Sequence, residues 1–292
     1  GDVNATIACA ICAKKQHVRC AHVEAGLRSG DIDMPEEVNR LVTDRLCDLL
    51  FTPDRLSSAN LKAEGVPDAK VKFVGNIMID TLERERAKAA ALDLDEIVRE
   101  SRIGESPACA ASGRRVPALE DRAYVAVTMH RPSNVDRAET LGPAVRFLLD
   151  EVAADRPVVW AVHPRTVKQL RAFGLWEAAV GHPNVVLVNP LGYHAMLRLN
   201  MGARLFLTDS GGLQEECCVL GTPCLTMRWN TERPVTLREN GGASVLVGNA
   251  VERIRAAYRA QVDAPRRASR PERWDGHAAE RIAKILAEGA AS

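Results

Sequence analysis

The stretch ARLFLTDSGGLQEECCVL, residues 203–220, joins a short apolar run to a helical pattern through two adjacent glycines. Residues 203–209 have the composition of a buried strand, and residues 211–220 repeat apolar side chains at helical spacing. Glycines at the turn let the backbone approach a ligand, and the free N–H groups of a helix N-terminus attract anions. The stretch therefore predicts a strand, a turn and a helix with an anion seat, although an ordinary helix with Ser210 as its N-cap fits the same residues.

The same alternation continues along the chain. Short apolar runs predict buried strands at 18–23, 48–52, 70–75, 123–129, 157–162, 184–190, 203–209 and 223–227. Amphipathic stretches between them predict helices at 36–47, 54–64, 77–91, 137–153, 165–173, 192–201, 211–220 and 250–261. Strands that alternate with helices of this length indicate an α/β protein with parallel sheets.

One stretch interrupts the alternation. Residues 100–122 are small, polar and basic, contain two prolines and show no periodicity, which is typical of a linker with a loop insertion. A last amphipathic helix follows Asp275, its candidate N-cap, with Ala278, Ile282, Ile285 and Leu286 on its apolar side. We expect an N-terminal domain at 1–97, the linker at 98–122, a C-terminal domain at 123–274, and a helix at 275–292 that crosses back to the N-terminal domain.

Composition excludes several classes of protein. Thirty-nine basic and 38 acidic residues leave a net charge of +1, so nothing calls for nucleic acid or an anionic membrane. No apolar run reaches the ~18 residues of a membrane span. The eight cysteines lie mostly in apolar runs, which favours reduced thiols in the cytoplasm, and the Cys9–Cys12 spacing lacks the second pair that a zinc site needs. Because the chain opens abruptly at Gly1, we expect a fragment.

Acids, arginines and a histidine follow four of the predicted strands. Ligands of open α/β sheets bind where strands end and helices begin, so these strand ends are the candidate site. The side chains concerned are Glu24 and Arg28, His130 and Arg131, Ser210 with Glu216, and Glu232 with Arg233. The stretch 21–40, which carries the first pair, contains glycines and a proline that exclude one continuous helix.

These motifs occur together in one known family. After an initial GD, the chain contains HVEAGLRSGD, PEEVNR, VGNIMIDTL, TMHRPSN, PLGY, LTDSGGLQEE, LGTPCLTMR and NTERP, in that order. From Gly1 to about Gly248 the chain closely resembles the non-hydrolysing UDP-N-acetylglucosamine 2-epimerases. The resemblance implies the GT-B fold, with two Rossmann-like domains whose parallel sheets face across a cleft that holds a UDP-sugar. It also implies a homodimer that needs neither a metal nor a nicotinamide cofactor.

The family chemistry interconverts UDP-N-acetylglucosamine and UDP-N-acetylmannosamine. The C1–O bond ionises, a carboxylate removes the C2 proton, and 2-acetamidoglucal recombines with UDP after protonation on the opposite face. By resemblance, the catalytic residues are Asp2, Glu24, Glu36 and His130. The residues that bind the UDP-sugar are, by the same resemblance, Arg40, Arg131, Leu191, Met196, Ser210, Gly211, Gly212, Glu216 and Arg233.

The resemblance has one departure and leaves alternatives open. The family's N-terminal strand and its arginine-bearing loop have no counterpart before Gly1, so we expect an incomplete N-terminal domain and little turnover from residues 1–292 alone. A hydrolysing relative, which releases N-acetylmannosamine and UDP, is an alternative. So are a glycosyltransferase of the same fold and a non-catalytic UDP-binding fragment. Glu24 and Glu36 could also pair with Arg28 and Arg40 merely to pin the loop.

Overall fold

A computed structural model describes residues 1–103 and 119–290, which form two compact units. The first unit comprises Gly1–Arg84, Asn230–Val235 and Arg270–Ser292, and the second comprises Glu85–Trp229 and Thr236–Ser269. Each unit has its own parallel sheet, so the predicted α/β class is confirmed.

Nine strands build the two sheets of the described residues: β1 (Ala21–Val23), β2 (Leu49–Thr52), β3 (Val71–Phe73), β4 (Val125–Thr128), β5 (Val158–Ala161), β6 (Val185–Val188), β7 (Leu205–Thr208), β8 (Cys224–Thr226) and β9 (Ser244–Leu246). The helices of the first half are α1 (Asn4–Lys15), α2 (Pro35–Leu46), α3 (Arg55–Ala63), α4 (Ile77–Ala90) and α5 (Leu94–Ser101). Those of the second half are α6 (Pro132–Val135), α7 (Ala138–Phe147, continued by a π-helical turn at Leu148–Val152 and an α-helical turn at Ala153–Asp155), α8 (Pro164–Ala172), α9 (Trp176–Gly181), α10 (Tyr193–Gly202), α11 (Gly211–Leu220), α12 (Val251–Gln261) and α13 (Ala278–Ala290).

The sheet of the second unit has six parallel strands in the order β6-β5-β4-β7-β8-β9. Helices cover both of its faces, so successive residues of a strand enter different apolar clusters. On β4, Val125 and Val127 pack into the larger cluster with α7 and α12, whereas Ala126 packs into the other cluster. Burial on both faces explains why these strands read as unbroken apolar runs in the sequence.

The sheet of the first unit has three parallel strands in the order β1-β2-β3. Leu50 on β2 packs into a cluster with Ala10 of α1 and Leu61 of α3, and Phe51 turns to the opposite face. There Phe51 meets Ile282 of α13, the last helix. The last helix thus packs within the first unit.

Several elements differ from the sequence-based expectation. The strands are shorter than the predicted runs that contain them, and α1, α5, α6, α9 and β9 carry no prediction of their own. In α1 the small and apolar residues surround the helix, so no amphipathic period marks it. The last helix also differs, because Leu286, expected on its buried side, is 45% exposed.

The predicted linker falls mainly on residues 104–118, which lie outside the described residues. Its described ends belong to the second unit: Ile103 donates its N–H to Leu187 O at 2.9 Å, and Leu119 is buried in the cluster that contains Ala126. The compact units thus divide at Arg84–Glu85, and the predicted bounds of 1–97 and 123–274 stay a prediction.

The start of α13 corrects the prediction that Asp275 is its N-cap. The helix begins at Ala278, and its first two N–H groups donate to Asp80 of α4, at 3.0 Å from Ala278 and 2.6 Å from Ala279. Asp275 instead accepts a hydrogen bond from the backbone N–H of His277 at 3.2 Å. The capping acid therefore comes from a distant part of the chain, where local sequence patterns carry no signal. Within the described residues, no helix has both the length and the apolar character of a membrane span.

The Asp80 cap is tested by the variant Asp80→Ala. Two N–H groups of α13 lose their acceptor, so we expect this helix to lose ~1–2 kcal/mol of local stability. Hydrogen–deuterium exchange of the α13 amides measures the loss as faster exchange. Asp275→Ala is the matched control, and exchange as fast in the control as in Asp80→Ala would contradict the assignment.

Candidate functional site

Two neighbouring strands of the second unit end beside each other and carry candidate site residues. Strands β4 and β7 pair in parallel with Thr128 opposite Thr208, and the two threonine hydroxyls are 2.7 Å apart. His130 follows β4 by two residues, and Asp209 comes directly after β7. The predicted histidine and the predicted glycine-rich turn therefore follow the carboxyl ends of two adjacent central strands.

Asp209 is fully buried and joins these two segments. Its Oδ2 accepts hydrogen bonds from the backbone N–H groups of His130 at 2.9 Å and Arg131 at 2.8 Å, and from the Asn134 amide at 3.0 Å. Its Oδ1 lies 2.8 Å from His130 Nδ1. Burial alone would raise the pKa of Asp209, but the His130 side chain, the Arg131 N–H and the Asn134 amide together lower it. Asp209 is thus a buried carboxylate that fixes the His130 segment.

The glycine-rich turn leads into α11. Ser210 occupies the N-cap position but its side chain makes no capping hydrogen bond, whereas its own N–H donates to Thr208 Oγ1 at 3.0 Å. At Gly212, an added Cβ would meet no atom within 4 Å. Gly211 and Gly212 thus open a helix whose first turn adjoins empty space, as an anion seat requires.

Glu216 lies in the second turn of the same helix, and its Oε2 is buried without a hydrogen-bond partner among the described residues. Burial raises the pKa of Glu216 to about 7, although the Asn200 side chain opposes the shift. Neutral pH therefore leaves this carboxyl divided between its acid and its carboxylate. The carboxylate can accept two hydrogen bonds from vicinal hydroxyls.

Two further candidates of the second unit are apolar. Leu191 and Met196 are partly buried at the start of α10, where both pack against the cluster that contains Ala126. Arg131 is half-buried beside His130 and contributes its backbone N–H to Asp209.

In the first unit, the candidate acid Glu24 directly follows β1 in a strained turn. Its φ is 68°, in the left-handed region, and Gly26 has a φ of 81°. A Cβ at Gly26 would lie 2.3 Å from Ser57 O, so only glycine fits there. A left-handed residue other than glycine costs ~1–3 kcal/mol and persists where its surroundings enforce it. Close packing around the turn thus fixes the backbone that carries Glu24.

Asp44, on α2, supplies the polar part of that enforcement. Its Oδ1 lies 2.6 Å from His22 Nδ1, and its Oδ2 accepts the Gly26 N–H at 3.0 Å and an Arg28 N–H at 2.8 Å. Burial would raise the pKa of Asp44, but the contacts with His22, Arg28 and the Gly26 N–H lower it. The buried carboxylate of Asp44 therefore binds residues on both sides of Glu24: His22 before it, and Gly26 and Arg28 after it.

Glu37, one residue after the candidate acid Glu36, performs a similar task for the rest of the loop. Its carboxylate accepts the N–H groups of Ser29 at 3.0 Å and Gly30 at 2.9 Å, and binds Arg40 Nε at 3.0 Å. Burial would raise the pKa of Glu37, but Ser29, Arg40 and Gly30 lower it. Glu36 itself is half-buried in the first turn of α2.

Arg40, a predicted contact of the UDP-sugar, lies inside the first unit with its side chain only 1% exposed. Its Nη1 lies 2.6 Å from Asp2 Oδ2, and Asn39 Nδ2 donates to Asp2 O at 2.8 Å. Two predicted site residues, Asp2 and Arg40, are thus in direct contact, and Arg40 holds the acid in place.

The last candidate, Arg233, also belongs to the first unit. It is buried and forms an ion pair with the neighbouring Glu232, and its backbone N–H donates to Thr231 Oγ1 at 3.1 Å.

The arginines near the loop after β1 form ion pairs with acids other than those expected from the sequence. In place of the proposed partners Glu24 and Glu36, Arg28 binds Asp44 and Glu64, and Arg40 binds Asp2 and Glu37. Sequence reasoning missed Asp44, Glu37 and Asp209 as functional supports. The signal for Asp209 was its position directly after a buried strand, because a buried acid there needs several N–H donors.

The support given by Asp44 is tested by Asp44→Asn. The lowered pKa of Asp44 means that its stabilisation is present above its ordinary pKa of 3.8 and is lost as the pH falls through the folded value. At pH 7 we expect the variant to lose ~1–3 kcal/mol in the free energy of unfolding, measured by urea denaturation. The loss should shrink in acid. Asp68→Asn, at an exposed acid, is the control, and equal stabilities of the two variants at pH 7 would refute the role of Asp44.

Comparisons with known proteins agree with this arrangement. A family model described as UDP-N-acetylglucosamine 2-epimerase matches residues 1–287. The UDP-N-acetylglucosamine 2-epimerase of Methanocaldococcus jannaschii is 36% identical over 290 residues, covering 99% of this chain and 74% of that protein. The UDP-2,3-diacetamido-2,3-dideoxy-D-glucuronate 2-epimerase of Pseudomonas aeruginosa is also 36% identical, over 292 residues, covering 99% of this chain and 73% of that protein.

A solved structure extends the similarity to the fold. The crystal structure of the Methanocaldococcus jannaschii UDP-GlcNAc 2-epimerase in complex with UDP-GlcNAc and UDP matches with a TM-score of 0.84 at 35% identity. The match covers 99% of this chain and 74% of that one. The predicted GT-B class, with its two Rossmann-like parallel sheets, is thereby confirmed. On the match of the family model and of these relatives, the chain belongs to the UDP-N-acetylglucosamine 2-epimerase family.

Proposed function

We propose that the protein is an isomerase that interconverts UDP-N-acetylglucosamine and UDP-N-acetylmannosamine. The proposal rests on the contact that Asp209 makes at the carboxyl ends of the central strands β4 and β7. There Asp209 joins His130 to the glycine-rich start of α11. This arrangement places an imidazole beside a helix N-terminus, which suits an anionic leaving group such as a diphosphate. We infer the identity of the sugar and the reacting carbon, C2, from membership of the 2-epimerase family.

The proposed reaction begins with cleavage of the C1–O bond, whose electron pair goes to the β-phosphate of UDP. The positive charge at C1 acidifies the C2 hydrogen, and a carboxylate takes that proton to leave 2-acetamidoglucal. A proton then enters C2 from the opposite face and UDP adds again at C1, so the products balance without a hydride acceptor. A hydrolysing variant would add water at C1 in the last step.

We assign the acid–base work to Asp2, Glu24 and Glu36, with His130 at the diphosphate. Support for Glu24 comes from its strained backbone, since such strain concentrates at functional sites. Support for Asp2 comes from Arg40, whose Nη1 lies 2.6 Å from the Asp2 carboxylate and fixes its position.

We assign UDP to the second unit, and by family resemblance we also count Arg233 among the UDP-binding residues. Ser210, Gly211 and Gly212 would bind the diphosphate through N–H groups, and Glu216 would accept hydrogen bonds from the ribose. Arg131 is proposed to add a positive charge near the diphosphate, and Leu191 and Met196 to contact the uracil.

The reaction is tested by turnover of the protein in heavy water. We expect deuterium at C2 of every epimerised product molecule, read by mass spectrometry, because the removed proton exchanges with solvent. Glu24→Gln and Glu36→Gln should each lose at least ~100-fold in turnover, since an amide keeps the shape of the acid but not its basicity. UDP binding should persist in both. Product without deuterium would overturn the proton-transfer mechanism.

Glu37→Gln is the contrast to Glu36→Gln, because the two acids are adjacent but Glu37 is buried and Glu36 is half-buried. The first removes a charge from a buried network with Arg40, so it should lower the melting temperature. Glu36→Gln should lower the melting temperature by less, because Glu36 is only half-buried. A stability loss in Glu36→Gln as large as in Glu37→Gln would show that Glu36 is structural.

A second candidate substrate is a UDP-2,3-diacetamido-2,3-dideoxy-D-glucuronate. It is favoured by the Pseudomonas aeruginosa relative, which is as similar to this chain as the Methanocaldococcus jannaschii relative. The assay in heavy water is therefore run with each of the two UDP-sugars, UDP-N-acetylglucosamine and the glucuronate, as substrate. Turnover of the glucuronate alone would replace the first proposal, and release of free N-acetylmannosamine with UDP would assign the protein to the hydrolysing branch.

The UDP assignment is tested by Gly212→Val. The added side chain enters open space in the empty protein, so the variant should fold, but it would occupy the place of the diphosphate. We expect calorimetry to show UDP affinity reduced by at least ~10-fold, as the loss of one charge-assisted hydrogen bond already costs ~1.5–3 kcal/mol. Gly289→Val, at a helical glycine that also faces open space, is the matched control. Unchanged UDP affinity in a folded Gly212→Val would refute the assignment.

We further propose a cytoplasmic homodimer. Family resemblance implies the dimer, and support comes from α1, an apolar helix on which Ile11, Cys9 and Cys12 are exposed. The seven cysteines of the described residues are all free thiols, which suits a reducing compartment.

A further inference from the structure

The His130 ring is 39% exposed and rests on a fully buried acid. Its Nδ1 lies 2.8 Å from Asp209 Oδ1. Because Nδ1 is engaged by the protein, Nε2 is the ring nitrogen left to meet a ligand.

The other oxygen of Asp209 decides which ring nitrogen carries hydrogen. Asp209 Oδ2 receives the backbone N–H groups of His130 and Arg131 and the Asn134 amide, all of which can only donate. These donors keep Asp209 ionised, and an ionised carboxylate has no hydrogen to give. The short contact between Oδ1 and Nδ1 therefore requires the hydrogen to be on Nδ1.

We propose that Asp209 is the positioning residue of His130: it holds the imidazole as the Nδ1–H tautomer and directs Nε2 to the ligand. This inference rests on the proposed function for its catalytic meaning, though not for its geometry. When the ring also carries a hydrogen on Nε2, that N–H can donate to the oxygen that leaves C1.

The surroundings of the ring agree with this role. The ring of His163 lies close by, with centroids 5.6 Å apart at an angle of 40°. His163 Nδ1 accepts the Arg165 N–H at 3.1 Å, so it caps α8 and does not compete for Asp209. Within the described part of the chain, Asp209 is the acid that contacts His130.

The tautomer can be read directly by ¹⁵N NMR of the wild-type protein, at a pH high enough to make the imidazole neutral. The chemical shifts of the two ring nitrogens show which one is protonated. We expect a protonated Nδ1 and an unprotonated Nε2 for His130. A protonated Nε2 in the wild-type protein would overturn the proposal, whatever its enzymatic activity.

The variant Asp209→Asn converts the tautomer with little change of shape. Its amide oxygen can still accept the three donors at the Oδ2 position, while its NH₂ group faces Nδ1 and forces the hydrogen to Nε2. We expect the ¹⁵N shifts of His130 to invert, kcat to fall by ~100-fold or more, and KM and UDP affinity to change little. A variant that inverts the tautomer but keeps kcat would overturn the positioning role.

Asn134→Ala is the matched control, since it removes one partner of Asp209 and a bond to Met227 O but leaves Oδ1 facing the ring. This control should lower stability while the His130 tautomer stays as in the wild type. An inverted tautomer in the control would mean that the whole network, and not the Asp209 carboxylate, sets the ring. The proposed function fails separately, if neither UDP-sugar is turned over while the wild-type ¹⁵N shifts show Nδ1–H.

Discussion

Asp209 is fully buried, yet the hydrogen-bond donors around it lower its pKa. A buried carboxylate is tolerated only when N–H donors surround it, so the segment that supplies those donors cannot move independently. In the second unit that segment is the turn of His130. In the first unit Asp44 imposes the same condition on the turn of Glu24, through the Gly26 N–H and Arg28. Buried carboxylates thus set the backbone next to the proposed catalytic groups, together with close packing at Gly26.

The sequence predicted the sheets well for a physical reason. Strands that are buried on both faces leave unbroken apolar runs, and helices that cover them leave a regular amphipathic period. Two of the elements that escaped lack these signals: small and apolar residues surround α1, and β9 begins with the polar Ser244 and is only partly buried. The start of α13 escaped because Asp80 caps it from another helix, and no local pattern records a contact across 198 positions.

The sequence predicted which types of residue follow which strands at the candidate site. It did not predict the role of each individual side chain. In PEEVNR the two adjacent glutamates look alike, but helical geometry turns Glu37 inward onto Arg40 and leaves Glu36 half-buried. Arg40 looked like a ligand contact, and it lies against Asp2 inside the first unit. Such distinctions depend on which face of α2 is buried, which follows from packing and not from the motif.

Glu216 gives α11 a property that its shape alone does not. With a pKa of about 7, the empty protein at neutral pH is a mixture of molecules that differ by one proton. A ligand whose hydroxyls donate to the carboxylate selects the ionised molecules, so its binding expels a fraction of a proton into solution. The same group favours the empty fold most at a pH below its ordinary pKa of 4.5, and that contribution disappears as the pH rises past about 7. Low pH therefore weakens the binding of such a ligand, because the ligand and the proton compete for the Glu216 carboxylate.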